Sequence, residues 1–154
     1  MASQAAADTH ASIPALMRAA AGSYRHAVGA ELAASGFEDL PRNGALLVAY
    51  LASGGESIEE MVRRLGVSKQ AFSQLADTLV LRGYVSRDTN PHDRRRMPLA
   101  LTGRGSAAAE AISTATKAVD DELSRRLSTA EMAGLRRGLA VLAEIGESPI
   151  EGIL

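Results

Sequence analysis

Apolar side chains recur at three- and four-residue spacing over 12–35, at Ile13, Leu16, Met17, Ala20, Tyr24, Ala27, Val28 and Leu32. That is the pattern of an amphipathic helix. Ser12 is placed to cap its start and Gly36 to supply the left-handed residue that ends it. A second helix is predicted from Pro41, a favoured first helical residue, through Leu46, Leu47, Tyr50 and Leu51 to the Gly54-Gly55 break. Two shorter helices follow. Ser57-Ile58-Glu59-Glu60 spells a capping box, with Ile58, Met61, Val62 and Leu65 turned inward. Gly66 stops that helix, Val67 bridges, and Ser68 caps the next, which runs to about Arg82 with Phe72, Leu75, Ala76 and Leu79 inside and Gly83 at its end. Helix, short glycine turn, helix is the layout of a helix-turn-helix.

The period then changes. Tyr84 to Arg87 and Met97 to Leu101 read as short strands joined by Asp88 to Arg96, with Asn90-Pro91 forming a turn. Pro98 has no N–H to donate, which makes its strand an edge. A hairpin after a helix-turn-helix is a winged helix. From Gly103 the chain is helical again to about Leu127, with Ala107, Ala111, Ile112, Ala115, Val119 and Leu123 on one stripe. A second capping box, Ser128 to Glu131, opens a last helix. There Met132, Leu135, Leu139, Leu142 and Ile145 form a nearly heptad seam suited to another helix. Such long terminal stripes exceed what one subunit can cover, so a homodimer is expected. The expected fold is mostly α with a small β-wing. Residues 1–36 form an N-terminal dimerisation helix, 37–102 the winged helix-turn-helix, and 103–154 C-terminal dimerisation helices.

Composition removes several classes. The 154 residues contain no cysteine, which excludes disulfides, cysteine-ligated metals and thiol redox sensing. Three histidines, His10, His26 and His92, are too few for a histidine-dominated metal site. No apolar run is long enough to cross a bilayer, and the first ten residues lack a basic start before an apolar core. The expected location is therefore cytoplasmic, with no membrane partner. Few aromatics and much alanine imply helices packed through Leu, Val, Ile, Met and Ala.

Charge is unevenly placed. The chain totals −1, yet Arg63 to Arg104 holds nine basic residues against three acids. A basic middle in an acidic frame is the footprint of a face that meets a polyanion. A merely solvated charged face has the same signature. At the start of the second helix of the pair, Ser68, Lys69, Gln70, Ser73 and Gln74 lie opposite Phe72 and Leu75. A recognition helix reads base edges with such N-terminal residues, Gln on adenine and Lys on guanine. The alternative is a polar solvated face with Ser68 as a plain cap.

Asn90 to Arg96, followed by Leu99-Ala100-Leu101-Thr102-Gly103-Arg104-Gly105, resembles the wing signature of the MarR family of bacterial winged helix-turn-helix transcription regulators. The signature residues fall on Asp93, Arg95, Leu101, Thr102 and Gly105, with Leu65 to Ser68 and Leu81 to Val85 similar to the family's turn and helix exit. The resemblance implies a homodimer on double-stranded DNA, with Lys69, Gln70, Ser73 and Gln74 on bases and Arg95 in the minor groove. Asp93 would hold the Arg95 guanidinium by paired hydrogen bonds. Arg94 and Arg96 would meet phosphates or solvent, and Arg87 would steady the wing or touch the backbone. No cofactor is implied. A small aromatic or phenolic effector is, with Arg18, Tyr24, His26 and Tyr50 as candidate contacts; taken singly, each reads more readily as a boundary residue at a subunit interface. A ligand-responsive repressor is the leading reading, and a winged-helix module using its basic face on an acidic protein is the alternative. No phosphate loop, nucleophile elbow or metal spacing supports an enzyme.

Overall fold

The computed structural model of the chain describes residues 11–54, 57–87 and 99–147. In order these form α1 (Ile13–Ala34), α2 (Arg42–Ala52), α3 (Ile58–Leu65), α4 (Lys69–Leu81), β1 (Val85–Arg87), β2 (Leu99–Leu101), α5 (Gly103–Arg126) and α6 (Thr129–Glu147). The strands pair antiparallel, Val85 opposite Leu101 and Arg87 opposite Leu99, and make a two-stranded sheet. The fold is thus the expected helix-turn-helix with a β-wing stem. Contacts divide the chain into two compact units that meet between Thr116 and Lys117. That division falls inside α5.

The core of the first unit explains its element order. Leu47 and Val48 of α2, Leu79 of α4, and Tyr84 and Val85 are all essentially inaccessible. Met61, Phe72, Ala76, Leu99, Ala108 and Ile112 complete the same cluster. No polar or charged residue is buried among the described residues. Gly44 lets α2 close on α4, since a Cβ there would come within 2.8 Å of Leu79 Cδ2. Truncating a leucine buried this completely to alanine costs about 2–5 kcal/mol, the lost transfer energy together with the cavity left behind.

Four details differ from expectation, three at helix starts and one on a helix face. Ser12 occupies the N-cap of α1, but its side chain makes no capping bond there, and Pro14 in the first turn removes a donor that would otherwise need one. Pro41 is the N-cap of α2 rather than its first residue. In the first capping box Ser57 Oγ accepts from the Glu60 N–H at 3.1 Å, as predicted. Glu60 does not reach back. The Ser57 N–H instead donates to Tyr50 Oη at 3.4 Å, and Glu60 takes the Tyr50 hydroxyl at 3.1 Å and the Arg64 guanidinium at 2.5 Å. On α5 the buried positions are Gly105, Ala108, Ala111, Ile112 and Ala115. Ala107, predicted to face inward, is exposed. Gly105 shifts the inward face, because α5 packs its first turn against the backbone of Tyr84.

The second capping box closes fully: the Ser128 N–H donates to Glu131 Oε2 at 2.8 Å and the Glu131 N–H to Ser128 Oγ at 3.3 Å. These Ser128 bonds hold the Glu131 carboxyl below its ordinary range. The helix they start, α6, has no buried residue over 129–145.

Candidate nucleic-acid interface

α4 begins where Ser68, in an extended backbone conformation, accepts the Ala71 N–H on its hydroxyl oxygen at 3.1 Å. Ser68 therefore serves as a cap, whatever else it contacts. Gly66 precedes it in the left-handed conformation, φ 63°, which allows the tight turn from α3. Phe72, Ala76 and Leu79 anchor one side of α4 in the core. Lys69, Gln70, Ser73 and Gln74 are all exposed on the other. The arrangement presents a short row of donors and acceptors on a helix that cannot rotate without emptying the core.

The wing stem is fastened to this helix. Arg87 at the end of β1 forms an ion pair with Asp77 on α4. Arg87 is expected either to steady the wing or to touch the DNA backbone, and it is paired here with Asp77, both side chains being largely exposed. Asp77 was missed by sequence reasoning. The available signal was that it is the sole acid in α4, on a helix otherwise suited to a polyanion. Asp93, Arg94, Arg95 and Arg96, the expected wing contacts, lie outside the described residues.

The Leu-Thr-x-x-Gly stretch has a structural reason. Thr102 Oγ1 donates to the Gly83 carbonyl at 2.5 Å and accepts the Gly105 N–H at 3.0 Å, capping α5 while tying it to the exit of α4. A Cβ on Gly105 would overlap the Tyr84 carbonyl oxygen, so only glycine fits.

Charge counted along the sequence overstates the cations this unit offers outward. Arg64 is paired with Glu60, Arg87 with Asp77, and Arg104 with Asp39 at 2.9 Å. Arg82 donates to the backbone carbonyl of Asp39. Lys69 and Arg63 make no ion pair among the described residues. The uncommitted positive charge of α3 and α4 is thus concentrated near the turn and the start of α4.

The candidate effector residues are not brought together as one cluster. Arg18, Tyr24 and His26 lie along α1, with Arg18 and His26 exposed and Tyr24 half-buried. Tyr50 lines a different feature, an open groove of about 290 Å³ between α2 and α3 formed by Leu46, Ala49, Tyr50, Ser53, Met61, Arg64 and Leu65. The Arg64 guanidinium stands 5.5 Å from the Tyr50 ring centre. Groups of His, Asp or Glu suited to a metal ion are absent among the described residues, and no described helix is long and apolar enough to cross a membrane.

Comparison with known proteins places the winged unit. Residues 38–96 match the sequence model of the MarR family. A search of curated proteins finds no match. Among solved structures, the chain is similar to Rv1404 of Mycobacterium tuberculosis, at 20% identity and TM-score 0.66 over 99% of both chains. It is also similar to the M. tuberculosis MarR family protein Rv2887 in complex with salicylic acid, at 26% identity and TM-score 0.60, over 86% of this chain and 96% of the other. NadR in complex with 4-hydroxyphenylacetate shares the fold at 23% identity and TM-score 0.69, over 88% and 95%.

Proposed function

We propose, from the match of residues 38–96 to the sequence model of the MarR family, that the protein is a sequence-specific double-stranded-DNA-binding regulator acting as a homodimer. It represses by covering a pseudo-palindromic operator. The observation that carries this reading is the exposed row Lys69, Gln70, Ser73 and Gln74 on a helix locked from behind by Phe72, Ala76 and Leu79. In the major groove, Gln70 and Gln74 would read adenine and Lys69 guanine, while Ser73 would take base or phosphate. The wing arginines Arg94, Arg95 and Arg96 would add minor-groove and phosphate contacts, with Asp93 orienting Arg95. Dimeric regulators of this build place their two reading helices about one DNA turn apart. The exposed leucines of α6 are the surface on which a second copy would form.

The effector reading draws on Rv2887, whose structures hold salicylic acid and p-aminosalicylic acid. A small aromatic acid would bind this protein through cationic and phenolic groups on α1 and α2, with Arg18, Tyr24, His26 and Tyr50 as contacts. It would release DNA only by favouring a dimer whose reading helices are differently spaced.

Fluorescence anisotropy with duplex from the region upstream of the protein's own reading frame tests the DNA reading. The expected result is preference over a scrambled duplex, with affinity falling steeply as salt rises. No binding to either duplex at low salt contradicts it, and would favour an acidic protein as the partner of the basic face.

A further inference from the structure

α4, proposed to read DNA, and the β1–β2 stem, which carries the wing, leave the core through two short segments. One is Arg82-Gly83-Tyr84 after α4, and the other is Thr102 to Arg104 after β2. Both converge on one residue, Asp39, in the linker between α1 and α2. Tyr84 Oη donates to Asp39 Oδ1 at 2.5 Å. Arg104 donates to that same oxygen at 2.9 Å and to the Arg82 carbonyl at 2.6 Å. Its guanidinium also lies 4.3 Å from the centre of the Tyr84 ring. Arg82 in turn donates to the Asp39 carbonyl. Phe37, two residues before Asp39, meets the Tyr84 ring edge-on at 6.1 Å.

Stability alone gives little reason for this cluster. The Tyr84 ring is wholly buried, and phenylalanine would fill the same space without needing a partner for a hydroxyl. Asp39 and Arg104 have 44% and 40% of their side chains exposed, and ion pairs so placed contribute little. What the cluster does supply is geometry. A single carboxylate oxygen takes bonds from the exit of α4 and from the start of α5, while the backbone of the same residue takes a third. The linker therefore cannot move against one segment without moving against the other. Tyr84 holds the carboxyl of Asp39 ionised below its usual range, with Arg104 adding to the effect.

We propose that Asp39, Tyr84 and Arg104 form a positioning clasp that fixes the recognition helix and the wing stem to the α1–α2 linker as one piece. Motion of α1 then reaches both DNA-contacting elements together. The proposal rests on the DNA-binding reading, and its test separates the two.

The test uses the full chain as wild type, Tyr84→Phe, Asp39→Asn and the double variant, each checked for helix content and molecular mass. Titration uses the native upstream duplex and a scrambled duplex. Each single variant should lose about five- to tenfold in affinity for the native duplex while keeping its binding to the scrambled one. The double variant should lose no more than the worse single, because both residues act through one clasp. Hydrogen exchange without DNA should quicken at 82–87 and 101–105 in Asp39→Asn and stay unchanged at 44–51. Native affinity within about twofold of wild type, additive losses, or exchange that quickens uniformly would each overturn the clasp. Wild-type protein that binds neither duplex would overturn the DNA-binding reading itself. Exchange confined to 82–87 and 101–105 would then still show the mechanical coupling.

Discussion

The winged unit and the C-terminal helix are built from similarly apolar sequence, yet they use it in opposite ways. In the first, leucines and valines from α2, α4, β1 and β2 close on one another until Leu47, Val48, Leu79 and Val85 are at most 1% exposed. In α6, Leu135, Leu139, Leu142 and Ile145 are between 37% and 48% exposed, and no residue over 129–145 is buried. Ile13, Leu16 and Met17 at the start of α1 are similarly uncovered. A reading head that packs itself can be specified within one chain. A helix whose seam faces solvent is specified only for a second surface, and contiguous exposed apolar residues of this kind mark association sites. One region is complete, and the other leaves its apolar side chains uncovered.

Variants that break the complete region should have the largest effects. Gly105→Val sets side-chain atoms into the Tyr84 carbonyl, where only backbone movement can make room. It should cost more than about 4 kcal/mol and abolish the cooperative urea transition. Leu79→Ala empties a fully buried site against Gly44. The loss should be about 2–5 kcal/mol by the same measurement. If either variant unfolds like wild type, the core is elsewhere.

Charging the other region should behave differently. Leu139→Glu with Leu142→Glu should turn a dimer into a monomer in sedimentation velocity, with the unfolding of the winged unit moved little. A smaller effect is expected at the start of the same helix. Ser128→Ala removes one half of its capping box and should cost about 1 kcal/mol of local stability, seen as faster hydrogen exchange over the first turn of α6.

The smallest effect is in pH dependence. Burial and the Asp39 bond push the Tyr84 hydroxyl up to about 12, so the folded state favours the protonated phenol. That contribution is complete below about pH 10 and is lost as pH rises through 12. Asp39, held low by Tyr84 and Arg104, contributes above the ordinary carboxylate range and loses its contribution as pH falls below about 4. Tyr84→Phe should therefore flatten the alkaline limb of a plot of urea midpoint against pH, and Asp39→Asn the acid limb. An unchanged profile in both would mean that neither bond forms in solution.

Most of the fold was legible because each local signal agreed with its neighbours. The glycines at 36, 54, 66 and 83 all take positive φ where the pattern asked for helix ends. Ser57, Ser68 and Ser128 cap where their spacing placed them. What escaped were contacts between elements distant in sequence. Nothing local distinguishes Asp39 from any loop acid, and its partners lie 45 and 65 positions away. Glu60 was assigned to its own N-cap because Tyr50, which takes that place, lies on the preceding helix. Charge suffered in the same way: counting arginines could not show that Arg64, Arg87 and Arg104 spend theirs inside the unit. Ala107 was misplaced by one position because Gly105, which fixes the inward face by its approach to Tyr84, is followed at helical spacing by Ala108.

Sedimentation velocity of the chain with a fluorescent duplex from its own upstream region is the most direct test of a self-contained reading head completed by a second copy. Two chains per duplex are expected at saturation, and Leu139→Glu with Leu142→Glu should bind as one chain, much more weakly and with half the contacts. A wild-type chain that stays monomeric and binds the duplex one to one at full affinity would contradict the account.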